Sequence, residues 1–144
     1  LVSGIRFIIK GGGGAPNLLF GIRYLDTKYS GYTFIMRPDL DEVYLIDDRD
    51  FENCYPDCPI LTVVSFNCNL QTWYHILVKV IRPRLQLFIN DSQVIDLALE
   101  SPYRASGIIA LTGWTGATGT HVVQFDDVVV RYPYIYHFPG VLRK

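Results

Sequence analysis

The sequence predicts an all-β domain, an antiparallel β-sandwich of two sheets, and three observations predict it. Short runs of β-branched, aromatic and alternating residues recur along the chain, separated by Gly, Pro, Asn and Asp. No window sets apolar residues at helical spacing behind a capping residue. The runs number about ten, and that many strands in one open sheet would leave a hydrophobic face in water.

The first run, Gly4–Ile9, ends at the glycine tip Gly11–Gly14, where residues without a Cβ reach positive φ and let the chain reverse. Leu18–Leu25 follows, with Phe20, Ile22 and Tyr24 on one face and Gly21 and Arg23 on the other. Pro38-Asp39 separates Tyr32–Arg37 from Glu42–Asp47, and Leu61–Phe66 comes next. Within Trp73–Ile81, Ile76, Val78 and Val80 oppose His75, Leu77 and Lys79. Pro83 then falls between strands, where it interrupts no ladder. In Arg84–Ile89, Leu85, Leu87 and Ile89 oppose Arg84, Gln86 and Phe88. Asn90-Asp91 leads to Gln93–Ala98, and both residues tolerate left-handed φ, the signal of a tight hairpin. Gly107–Thr112 and His121–Arg131 complete the set. One face of each strand is apolar and the other is mixed, as an inner and a solvated outer face require.

The chain has 144 residues, the length of one domain, divided here into a sandwich over 1–131 and an extended aromatic tail over 132–144. A net charge of −1 gives no basic excess, so binding to nucleic-acid phosphates is not expected. Apolar runs such as Val128–Val130 are too short to enter a bilayer as a span. Charged residues make up 19%, below the roughly 25% usual for soluble domains, while hydrophobic residues reach 49% with ten tyrosines. That surplus is expected in a large core and in an interface. The chain starts at Leu1 with no cleavable signal segment, and reads as a processed chain or an excised piece.

Three cysteines, Cys54, Cys58 and Cys68, lie close together with Pro56 and Pro59. In a short extracellular chain this reads as one local disulfide and one odd thiol, with the pairing open. A zinc site would need a fourth ligand, and His75, His121 and His137 are remote. Three unpaired thiols are the remaining alternative. The expected setting is extracellular or at a cell surface.

The run Trp73–Ala98, the pair Gly107–Leu111 with Val123–Val130, and the earlier Gly21–Tyr24 with Gly31–Phe34 together resemble the concanavalin A-like lectin/glucanase superfamily, which also holds laminin-G-like and keto-sugar-hydrolase-like domains. The resemblance covers most of 18–131 and implies a jelly-roll sandwich. The superfamily includes sugar-binding modules, adhesion domains, hydrolases and structural shells, so the resemblance implies the fold more sharply than the function. Two departures stand out. The usual hairpin Asn-Gly is Asn90-Asp91 here, and the opening strand of such domains is not evident, which would leave one sheet with an uncovered edge.

Glucanase members of the superfamily carry carboxylates at alternating positions of one strand, and no such strand occurs here. Glu42 and Asp47 flank a strand but form no such pattern, and Asp47–Asp50 reads as a solvated turn. No catalytic residue and no cofactor is expected. Calcium, held by Asp127 with loop carbonyls, is a second metal alternative, against a purely structural role for Asp126-Asp127 beside a core Phe125. Sugar binding would need exposed aromatic rings and hydrogen-bonding side chains. The candidates are Trp114, placed in the Gly113–Gly119 loop, with Arg23, Tyr32, Arg37 and Tyr44. Trp73, at a strand start, is expected to plug the core. Asn90-Asp91-Ser92 is the only Asn-x-Ser/Thr sequon, and a glycan on Asn90 would sit at a hairpin tip.

The tail carries Tyr132, Tyr134, Ile135, Tyr136 and Phe138, and its two prolines favour extended chain. An apolar tail packs on its own sandwich or on a neighbour. From these features the first expectation is a non-catalytic, self-assembling structural subunit of a filament or surface layer, a homo-oligomer or polymer joined by strand or tail exchange. The alternative is a carbohydrate-binding module whose partners are glycans. A sugar-hydrolase-like enzyme is the third reading.

Overall fold

The structure is a computed structural model. It describes residues 2–10, 17–26, 28–47, 57–81, 83–100, 108–114 and 122–131, and for 2–10, 17–26, 28–30, 108–110, 112–114, 122 and 131 it describes the backbone alone. Ten strands account for nearly all of it: β1 (Val2–Lys10), β2 (Asn17–Asp26), β3 (Lys28–Arg37), β4 (Glu42–Asp47), β5 (Ile60–Ser65), β6 (Trp73–Ile81), β7 (Arg84–Ile89), β8 (Ser92–Ala98), β9 (Ile108–Trp114) and β10 (Val122–Arg131). They form two five-stranded antiparallel sheets, ordered β10-β1-β6-β7-β8 and β5-β4-β3-β2-β9. The all-β, two-sheet reading of the sequence is therefore the architecture observed.

Two meanders, β2–β5 and β6–β8, each stay within one sheet, and the remaining connections cross between the sheets. β1 lies inside its sheet, hydrogen-bonded to β10 on one side and β6 on the other. The expected open edge beside the first strand is thus absent, because the last strand fills it.

The core follows from the period-two pattern. Phe34, Met36, Val43 and Leu45 from one sheet meet Ile76, Val78, Leu85, Leu87, Ile89 and Ile95 from the other, all buried. Val123, Phe125 and Leu111 pack on its margin. Tyr32 belongs to this core at 6% exposure, which corrects its place among the exposed sugar-stacking candidates. Its parity is that of Phe34 and Met36, so the pleat turns its ring inward. Trp73 departs in the opposite sense. It is 40% exposed, because it shares the outward parity of His75, while Tyr74 takes the core position. Tyr74 packs its ring edge-on to Phe66, with centroids 5.9 Å apart.

The β7–β8 hairpin closes through Asn90 and Asp91 at φ 49° and 64°, both left-handed, as a two-residue turn of the type that suits strand twist requires. Asp41, at φ 52°, ends the β3–β4 turn and ties the β5–β6 crossover to it. Its carbonyl accepts the Phe66 N–H at 2.8 Å and its Oδ1 accepts the Cys68 N–H at 2.9 Å. On β7 and β8 the outer face of the first sheet carries paired polar groups. Arg84 donates to Asp96, which also receives Gln86 and Gln93, and the Lys79 ammonium lies 4.6 Å from the centroid of Phe88.

Candidate functional site

Inward packing of Phe34, Met36, Val43 and Leu45 turns the intervening residues of β3 and β4 outward. In the ladder Arg37 pairs with Glu42 and Ile35 with Tyr44. Across the whole sheet one row reads Thr112, Leu19, Ile35, Tyr44, Val63. Thr33 shares this outward parity but is buried, whereas Arg37, Glu42 and Tyr44, nearer the β3–β4 turn, are half-buried.

Four polar side chains are organised there. The Arg37 guanidinium grips Asp39 with a fork, Nε–H to Oδ1 at 3.1 Å and the Nη2 donor to Oδ2 at 2.7 Å. The hydrogen bond from Arg37 holds the Asp39 carboxyl below the ordinary carboxylate range, against a smaller opposing effect of burial. The Tyr44 hydroxyl donates to Glu42 Oε2. That bond, then burial, pushes the phenol above its usual pKa. Arg37 also feels the Glu42 carboxylate that Tyr44 holds, so the four groups act as one electrostatic unit. The unit has acceptors in two carboxylates, donors in a guanidinium and an aromatic ring whose hydroxyl is already held. It can hydrogen-bond a polyol and present a ring to an apolar sugar face.

Each residue singled out from the sequence has a place relative to this unit. Arg37 and Tyr44 belong to it. Trp114 is the last residue of β9, paired with Asn17, and not part of a loop, because the ladder with β2 continues to that point. It has the parity of Thr112 and stands at the same end of the sheet as Arg37. Arg23 pairs with Gly31 and Ile108 on the same parity but at the opposite end of the strands. Its along-strand offset from Arg37 is roughly 20 Å at about 3.3 Å per residue. The face therefore brings Arg37, Tyr44 and Trp114 to one end and leaves Arg23 and Tyr32 out of it.

Asp39 and Glu42 were missed as members of this unit. The spacing Arg37-Pro38-Asp39 around a turn, and Glu42 two residues before Tyr44 on one strand, were the signals for them. Glu42 and Asp47 cannot act as a carboxyl pair, because an odd spacing puts them on opposite faces of β4. Asp47 instead pairs with Tyr32 in the ladder and donates its N–H to Pro59 O at 2.9 Å.

Asp127, the calcium candidate, is exposed at φ 50°, beside the register shift of the β1–β10 ladder. Its N–H donates to Asp126 Oδ1 at 2.9 Å, while Phe125 packs on the core. Among the described residues no group of three or more His, Cys, Asp or Glu could hold a metal ion. Among the described residues no helix is long and apolar enough to cross a membrane.

Cys68 is a free and buried thiol, whereas Cys58 has a partner and Cys54 lies outside the described residues. Burial pushes the Cys68 thiol up to about 12, with the charges of Asp41 and Asp39 adding to it. Its Sγ–H points to Phe66 O at 3.2 Å. A thiol reagent at pH 8 should therefore leave Cys68 untouched in the folded chain and label it once the chain is unfolded, as mass spectrometry will read. Fast labelling of the native protein would contradict the burial.

No family of known sequences matches this chain, and no curated protein matches it by sequence. Solved structures do share its fold. The carbohydrate-binding module CBM66 from Bacillus subtilis superposes with a TM-score of 0.61 at 18% identity, over 88% of this chain and 71% of that one. Sheep galectin-11, solved in complex with glycerol, gives 0.62 at 12% identity, over 86% and 87%. The Caenorhabditis elegans galectin LEC-6 gives 0.55 at 13% identity, over 89% and 82%. At these identities the likeness is one of fold, and the chain is a jelly-roll β-sandwich similar to lectin-type domains.

Proposed function

We propose that this chain is a non-catalytic carbohydrate-binding module that reads sugar at the Arg37–Tyr44 end of its second sheet. The observation that carries this reading is the half-buried unit of Arg37, Asp39, Glu42 and Tyr44, whose side chains are paired by hydrogen bonds where the β3–β4 turn meets the outer face of the sheet. The similarity of the fold to a carbohydrate-binding module and to two galectins supports it. The backbone of Trp114 is in register at the same end of the sheet, and we assign that residue to the site as well. This reading takes precedence over the structural subunit expected first from composition and tail. The setting we propose is extracellular, with a bridge between Cys54 and Cys58 and no cofactor.

The test is a panel of neutral and acidic oligosaccharides and polysaccharides, read by calorimetry and affinity electrophoresis. At least one neutral glycan should bind, and Trp114→Ala should weaken it several-fold without changing the melting temperature. A folded protein that binds nothing in the panel would overturn the proposal.

A second reading keeps self-association, and a specific feature favours it. Val128, Val129 and Val130 are 43–47% exposed on β10, an edge strand of the first sheet. The assembly candidates Tyr132, Tyr134, Ile135, Tyr136 and Phe138 directly follow that strand and lie outside the described residues.

A further inference from the structure

We propose that Asn90 is an acceptor for an N-linked glycan. Asn90, Asp91 and Ser92 form the one Asn-x-Ser/Thr sequon of the chain. They sit at the tip of the β7–β8 hairpin, and all three are exposed.

The geometry of the asparagine amide carries the argument. The Asn90 backbone N–H donates to His75 O at 2.8 Å, and Asn90 Oδ1 accepts the His75 N–H at 2.9 Å. This double bond to β6 continues the ladder past the last β6–β7 pair, Ile76 with Ile89. With Oδ1 aimed at the strand, the opposite side of the planar amide, Nδ2, faces outward at the turn. Glycan attachment uses Nδ2 and leaves Oδ1 in place. The Nδ2–C1 bond forms as the bond from C1 to its pyrophosphate oxygen breaks. The donor is a lipid-pyrophosphate-linked oligosaccharide, the lipid pyrophosphate leaves with the electron pair, and one Nδ2 proton is lost. The native hydrogen bond to His75 and the left-handed turn both survive the modification.

The site is also compatible with the rest of the molecule. The hairpin belongs to the first sheet, and the Arg37–Tyr44 unit lies on the outer face of the second. A glycan on Asn90 and a sugar ligand on the second sheet therefore occupy different layers.

The full chain, secreted from animal cells behind a signal peptide, tests this. Peptide N-glycosidase in heavy-oxygen water should convert Asn90 to an isotope-labelled Asp, seen in the hairpin peptide, and shift the band on a gel. Ser92→Ala should remove the shift while keeping Asn90, its bond to His75 and the melting temperature. Asn90→Gln should remove it too. A secreted, folded native chain whose Asn90 peptide is unmodified would overturn the proposal. So would occupancy that appears only after Ser92→Thr.

Discussion

Phe34→Ala should lower the unfolding free energy by about 3–5 kcal/mol, among the largest effects expected of truncations in the described core. Phe34 is 1% exposed on β3, between Phe20 of β2 and Leu45 of β4 in the ladder. Its ring fills the space where the two sheets face each other, and alanine would leave a cavity that strands pinned on both sides cannot collapse into. Domains of this kind are stable by about 5–15 kcal/mol, so the variant would sit near the edge of folding at room temperature. Equilibrium urea denaturation of the two proteins measures the difference. A loss below about 1 kcal/mol would mean that the ring is not sandwiched between the sheets. Leu87→Ala, from the opposite sheet, is a check at about 2–5 kcal/mol.

Tyr44→Ala should weaken glycan binding by about tenfold, while Tyr44→Phe should retain most of it. A ring stacked on a sugar face contributes on the order of 1 kcal/mol beyond its buried area, and each 1.4 kcal/mol is a factor of ten in affinity. The hydroxyl is already committed to Glu42, so it has little to offer a ligand directly. Calorimetry on the glycan found in the panel separates the two variants. Equal loss in both would shift the role from the ring to the hydroxyl and its Glu42 partner. No loss in either would move the binding surface elsewhere on the sandwich.

Much of the fold could be read from the sequence, because a pleated strand with one buried face leaves an alternating record. Ile76, Val78 and Val80 against His75, Leu77 and Lys79 named the two sides of β6 correctly, and Asn90-Asp91 named its turn. The strands β1 to β10 all coincide with sequence runs, with shifts of a few residues at their ends. The aromatic residues were less legible, since Tyr and Trp suit either face of a strand. Tyr32 and Trp73 exchanged the roles expected of them for this reason, each by one step of parity. Register between strands leaves no mark in a single sequence. That is why Arg23 could be grouped with Arg37, although the ladder sets them at opposite ends of the sheet. The fork between Arg37 and Asp39 depends on the turn at Pro38, which composition suggests but does not shape.

The staple at Asp41 links a sulfur atom to the end of the sheet that carries Arg37, Glu42 and Tyr44. Cys68 hangs from the Asp41 carboxylate by its backbone N–H, and its Sγ lies 4.0 Å from Glu42 O, on the residue that holds Tyr44. A bulky or charged adduct on that sulfur has no room between these neighbours. It would prise the crossover off the β3–β4 corner and loosen the seat of Glu42 with it. Because the folded chain shields this sulfur, an adduct can form only while the chain is open, so protein alkylated unfolded and then refolded should lose this corner while native protein given the same reagent keeps it.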